Sequence, residues 1–181
     1  MRSYYYFVAS LPSLSFGGEM PLTPDELLER SRAWLAPEDY ALLAAAQGGF
    51  EALAAYPAGA AWLANETSLR NALVRARALR LERDPAPYLR EPDTPDRHVL
   101  AVVQELVKLD DPLAAERGLD LLRWQALDHL AGLHSFDMHV LLAYLLKLTI
   151  MARWAAFDET RGAAVLNRAL EAKPAATAPL N

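Results

Sequence analysis

Residues 111–158, DPLAAERGLDLLRWQALDHLAGLHSFDMHVLLAYLLKLTIMARWAAFD, read as two long helices joined by a tight turn at residues 135–137. In the first, Ala115, Leu119, Leu122, Ala126, Leu130 and Leu133 recur at three- and four-residue spacing, the buried stripe of a helix about 35 Å long. Trp124 and Leu127 widen that stripe. The second, residues 140–157, is apolar almost all the way round yet carries Lys147 and Arg153, which marks a central helix wrapped by others. The short turn makes the two antiparallel neighbours, so the expected fold is an all-α multi-helix bundle around a central helical hairpin.

Punctuation elsewhere agrees with that reading. Thr23-Pro24-Asp25-Glu26 has a capping threonine, proline at the first helical position and a glutamate placed to complete a capping box. Similar starts follow at Ala36-Pro37, Thr94-Pro95-Asp96 and Asp111-Pro112. The first of these helices should reach Trp34, and Gly48-Gly49 should stop the second. Tyr56-Pro57 and Gly59 should separate a short third helix from a long one over residues 60–81. The β-prone run Tyr4, Tyr5, Tyr6, Phe7 and Val8 before Pro12 predicts a short extended N-terminal segment across the helices. The proline-rich residues 84–95 are the one plausible subdivision of a single domain over residues 1–173, and residues 174–181 read as a flexible tail.

Composition bounds function. Of 181 residues, 34 are Ala and 33 are Leu while only 8 are Gly, the balance of a helical protein. Lys plus Arg total 18 against 23 for Asp plus Glu, and this net charge of -5 disfavours nucleic acid and acidic lipid surfaces. Cysteine is absent, which removes thiolate chemistry and agrees with a reducing compartment. No signal-peptide pattern opens the chain, so a cytoplasmic location is expected. A membrane span over residues 140–157 is disfavoured because Lys147 at its middle would cost at least about 2.5–3.5 kcal/mol in a bilayer.

Three constellations carry polar chemistry. His129, His134 and His139 lie five residues apart with Asp128 and Asp137 among them. A five-residue step turns about 140° on a helix, unlike the i,i+4 spacing of a metal pair, although the break at Ser135 would bring His134 and His139 together. The expectation is therefore no metal, with the histidines satisfying helix ends and Asp137 capping the next helix. Arg70, Arg75, Arg77, Arg80 and Arg83 crowd into fourteen residues of an acidic chain. They suggest a cationic stripe, either solvated or docking an acidic partner through Arg70, Arg77 and Arg80. Glu116, Asp120 and Arg123, with Lys147 or Arg153 from the facing helix, suggest an internal ion-pair network that sets helix register. Glycine-rich phosphate loops, nucleophile elbows and Glu-x-x-His pairs are absent, which argues against an enzyme and against any cofactor.

The blocks YYYFVASLP (residues 4–12), SLRNALVRARALRLERDPAPYLR (68–90) and DPLAAERGLDLLRWQALDHLAGLHSFDMHVLLAYLLKLTIMARW (111–154) together resemble a bacterial family of unknown-function proteins. Its members are encoded beside the subunits of V/A-type ATPases. The resemblance implies a role similar to that of the d-type subunit, the helical socket between the central stalk and the membrane ring, with stalk and ring subunits as partners. It also implies a position peripheral to the inner membrane, held there through those partners. The alternative from the residues alone is a free-standing helical protein-binding or regulatory module, single or paired as a homodimer.

Overall fold

The computed structural model describes residues 4–48, 51–132 and 134–157. They form α1 (Tyr5–Ser10), α2 (Pro24–Ser31), α3 (Pro37–Gly48), α4 (Pro57–Arg80), α5 (Arg97–Leu106), α6 (Pro112–Gly132) and α7 (Met138–Ala155). Single 3-10 turns occupy Glu51–Ala55 and Ala86–Tyr88, and no strand occurs among the described residues. The fold class is all-α, as composition and periodicity predict. Gly49, Leu133 and the terminal residues 158–181, with the tail expected there, lie outside the described residues.

The hairpin of α6 and α7 is central. Helices α2, α3 and α4 all pack on α7 together with α6, and of the eighteen residues of α7 only Thr149, Arg153 and Ala155 are exposed. Length and composition alone would let α7 cross a membrane. Here the same apolarity is spent on neighbouring helices: Leu141, Leu142, Leu145 and Leu148 are fully enclosed. On α6 the axis of burial is Leu119, Trp124, Leu127 and Leu130, while Ala115, Leu122 and Ala126 are half-buried. Trp124 and Leu127 thus sit at the centre of the stripe and not on its margin.

A second cluster, Leu69, Ala72, Ala76, Val103 and Leu119, joins α4, α5 and α6. It draws on both sides of residues 84–95, and that stretch folds back on α4. Buried Asn71 donates from Nδ2 to the Arg90 carbonyl at 2.8 Å and to Asp93 Oδ1 at 2.9 Å, and its Oδ1 accepts the Arg90 N–H at 2.9 Å. Arg75 pairs with Asp93 across the same junction. The Arg75 hydrogen bond holds the Asp93 carboxyl below the usual carboxylate range, against an opposing effect of desolvation and with the Asn71 hydrogen bond and the Arg75 charge adding to it.

Helix starts follow the expected chemistry. Thr23 and Glu26 form a complete capping box, with the Glu26 N–H reaching Thr23 Oγ1 at 3.2 Å and the Thr23 N–H reaching Glu26 Oε2 at 2.7 Å. Asp96 caps α5 through the His98 and Val99 amides, so Pro95 precedes the cap and does not open the helix. Helix α2 stops at Ser31, short of Trp34, and Pro57 opens α4 in place of residue 60. Gly59 sits inside that first turn because an added Cβ would stand 2.2 Å from the Leu53 carbonyl oxygen.

The N-terminus corrects the sequence reading. Residues 5–10 are helical, not extended. Among the described residues no strand lies beside them to complete a ladder, so backbone groups are satisfied within a helical turn despite β-prone side chains. Phe7 is sunk in the core, the Tyr4 N–H donates to the Phe136 carbonyl at 2.6 Å, and the Tyr4 hydroxyl donates to Asp39. Tyr5 and Tyr6 remain exposed.

Candidate functional site

Helix α6 presents Glu116, Asp120 and Arg123 at three- and four-residue spacing, one face turned toward α4 and α7. Asp120 is fully buried. One of its carboxylate oxygens accepts Arg123 Nη1 at 2.9 Å, and the other accepts Trp154 Nε1 at 2.8 Å together with Arg153 of α7. Arg153 also meets Glu116 at 3.1 Å, so it is the cation that relieves the Glu116–Asp120 repulsion.

The network extends to a residue of a third helix. Glu66 of α4, 6% exposed, accepts Arg123 Nε at 3.0 Å and Arg70 Nε at 2.8 Å. Three carboxylates, Glu66, Glu116 and Asp120, thereby face three guanidiniums, Arg70, Arg123 and Arg153, across three helices. Burial pulls the Arg123 pKa down, but hydrogen bonds and charge from Glu66 and Asp120 outweigh it and leave the group above its ordinary value. Charges balance and hydrogen bonds are made, so the arrangement suits a register lock. Glu66 stands at i,i+4 from Arg70, but its link to Arg123 spans 57 residues, a separation that no local spacing reveals.

Lys147 is outside this network, contrary to the sequence reading. It pairs with Asp128 and lies 4.9 Å from the centre of the Trp124 ring, a cation–π position at the rim of the hairpin. Six residues separate it from Arg153 on α7, which places the two cations at different levels of the bundle.

The arginine stripe is divided. Arg70, tied to Glu66, lines a groove with Leu63, Arg90 and Pro92. Arg77 and Arg80 line another, of about 580 Å³, between α4 and the α5–α6 connection, with Leu73, Leu106, Val107 and Leu119 forming its walls. Arg80 donates to the Val107 carbonyl at 3.2 Å, while Arg77 is exposed with no partner among the described residues. Leu79 and Leu81, 69% and 65% exposed, stand beside them. The result is a largely apolar groove whose polar lining is the two arginines and the carboxylate of Glu116.

The hairpin turn joins two of the three histidines. His134 and His139 stack face to face with ring centres 3.6 Å apart, and Asp137 caps α7 through the His139 N–H at 2.9 Å. His129 remains exposed on α6.

Residues 59–172, which span nearly all of α4 and the whole of α5, α6 and α7, match a family model described as "Protein of unknown function (DUF2764)". No curated protein and no solved structure matches the chain.

Proposed function

The chain belongs to this DUF2764 family, and from that premise we propose that it is a non-catalytic structural subunit of a V/A-type proton- or sodium-translocating ATPase. In this role it couples the central stalk to the membrane ring, lies in the cytoplasm and is peripheral to the inner membrane through its partners. The supports are the sequence resemblance of residues 68–90 and 111–154 and the construction of the bundle. A coupler must transmit torque without chemistry of its own, and the three-helix ion network resists sliding of α4, α6 and α7 past one another.

The observation that carries the docking surface is the groove bearing Arg77 and Arg80. Its walls are mostly apolar, Glu116 on its α6 side is already paired with Arg153, and Arg77 and Arg80 leave the α4 side positive, so its complement is an acidic amphipathic segment of a stalk subunit. Arg70 is a poor probe of that contact, because Arg70→Glu would set a carboxylate against buried Glu66. The test uses Arg77→Glu with Arg80→Glu in the full chain expressed in its native host. Gentle extraction of the unaltered protein should recover stalk or ring subunits, and the double variant should recover at least about tenfold less while melting at the same temperature, since rim charges act mainly on association. Absence of every ATPase subunit from the unaltered preparation would end this reading.

A homodimer is the second reading, favoured by the exposed Leu79 and Leu81 beside the groove. Sedimentation of the isolated chain separates the two: a tight dimer that comes apart on Leu79→Asp and Leu81→Asp supports a free-standing module.

A further inference from the structure

The turn between α6 and α7 gathers ligand-type side chains that a coupling role does not use. We propose that His134, Asp137 and His139 form a site for one divalent first-row transition ion of the Zn²⁺ type. The turn is built to bring them together: Phe136 takes φ +59°, a left-handed conformation rare for an aromatic residue, and His134 is folded back over His139. Asp137 is buried at the Nδ1 edges of the two stacked rings, its Oδ2 at 2.7 Å from His134 Nδ1 and its Oδ1 at 3.4 Å from His139 Nδ1. One donor atom from each of the three residues lies within 4.8 Å of the other two.

Proton bookkeeping points to a cation. Each neutral imidazole carries one N–H and one lone pair. A hydrogen bond satisfies the His134–Asp137 edge, but His139 Nδ1 is buried with no hydrogen-bond partner and looks onto a carboxylate oxygen that already accepts the His139 backbone N–H. An ion between the three atoms gives that lone pair its partner. Ligands at about 2.0–2.1 Å from a tetrahedral ion stand about 3.3 Å from one another; the His139–Asp137 pair is already at 3.4 Å, and the His134–Asp137 pair, hydrogen-bonded at 2.7 Å, opens by about half an ångström to admit the ion. Binding turns the rings out of their parallel stack about soft side-chain torsions, so that both lone pairs aim at one point. Two imidazoles and one carboxylate suit Zn²⁺, Co²⁺ or Fe²⁺ and not Ca²⁺ or Mg²⁺, and the partly exposed His134 leaves the remaining position to water. Bound there, the ion clamps the end of α6 to the start of α7. Through the Phe136 carbonyl it also steadies the Tyr4 tether.

The full chain, without a histidine tag and stripped by chelator, is titrated with Co²⁺ and then challenged with Zn²⁺. Expected are visible d–d absorption saturating at one equivalent, its loss on Zn²⁺ addition, and a higher melting temperature with Zn²⁺ but not with Mg²⁺. His134→Ala with His139→Ala should weaken binding by at least about a hundredfold, beyond the 10–100-fold that supporting-residue losses cost. His98→Ala with His129→Ala should change nothing. Should the first double variant not fold, His134→Gln, at a partly exposed side chain, carries the same expectation. Absence of stoichiometric Co²⁺ absorption, or binding undiminished in the folded His134 variants, overturns the site whatever the ATPase experiment shows.

Discussion

Asp120 shows how one residue's surroundings set what its replacement costs. It is fully buried and accepts from Arg123, Arg153 and Trp154, so Asp120→Ala leaves the Trp154 indole N–H without its acceptor and takes from Arg123, only 18% exposed, one of its two buried carboxylates. Chemical denaturation should show a loss of about 3 kcal/mol. Arg153 is half exposed and its head can turn to water, so Arg153→Met should cost no more than about 1 kcal/mol in the same assay. Equal losses would mean that the network is not organised around Asp120. The candidate set Glu116, Asp120, Arg123 and Arg153 was readable because helical spacing places the first three on one face and an antiparallel partner supplies the fourth. Lys147 was misassigned because periodicity gives a face but not a height along it, and Asp128 with Trp124 takes that cation at another level. Glu66 was missed as a network member because its partner Arg123 lies 57 residues away.

At the scale of elements, α4 is held at both ends by contacts with irregular segments. Its first turn presses Gly59 against Leu53, where a Cβ would come 2.2 Å from a backbone oxygen. Gly59→Ala should therefore destabilise the protein by about 1–3 kcal/mol in denaturant melts, although alanine is the better helix former. Near its other end, Asn71 and Arg75 bind the stretch at residues 90–93. Asp93 titrates below the ordinary carboxylate value, so its contribution is complete above that value and disappears as pH falls through the lowered folded pKa. Hydrogen exchange at the Arg90 amide should accelerate, relative to core amides of α7, only below the ordinary carboxylate range. Asp93→Asn should abolish that pH dependence. The starts of these helices were legible from Thr23, Pro24, Asp96 and Asp137, since caps are local chemistry. The state of residues 5–10 was not. Their β-prone side chains meet a core pocket at Phe7, and among the described residues no strand edge is at hand.

At the scale of the molecule, stiffness and surface are separate properties carried by separate residues. The ion network and the enclosed leucines of α7 hold the helices together, while Arg77, Arg80, Leu79 and Leu81 are exposed beside a groove, and the proposed docking role falls on them. Arg77→Glu with Arg80→Glu should accordingly leave the melting temperature within about 2 °C of the unaltered protein. A large drop would place these arginines in the folding core. The sequence alone determined the class of fold, the central hairpin and the starts of α2, α3, α6 and α7, because apolar periodicity and capping act over a turn or two of chain. Tertiary structure alone decided that Glu66 completes the network, that Lys147 stands apart from it, that the arginine stripe splits between two grooves, and that the carboxylate of Asp137 lies against both His134 and His139. Each of these depends on the height and rotation at which one helix packs against another, or on the path of a turn. Spacing along the chain leaves those quantities free, and side-chain packing settles them.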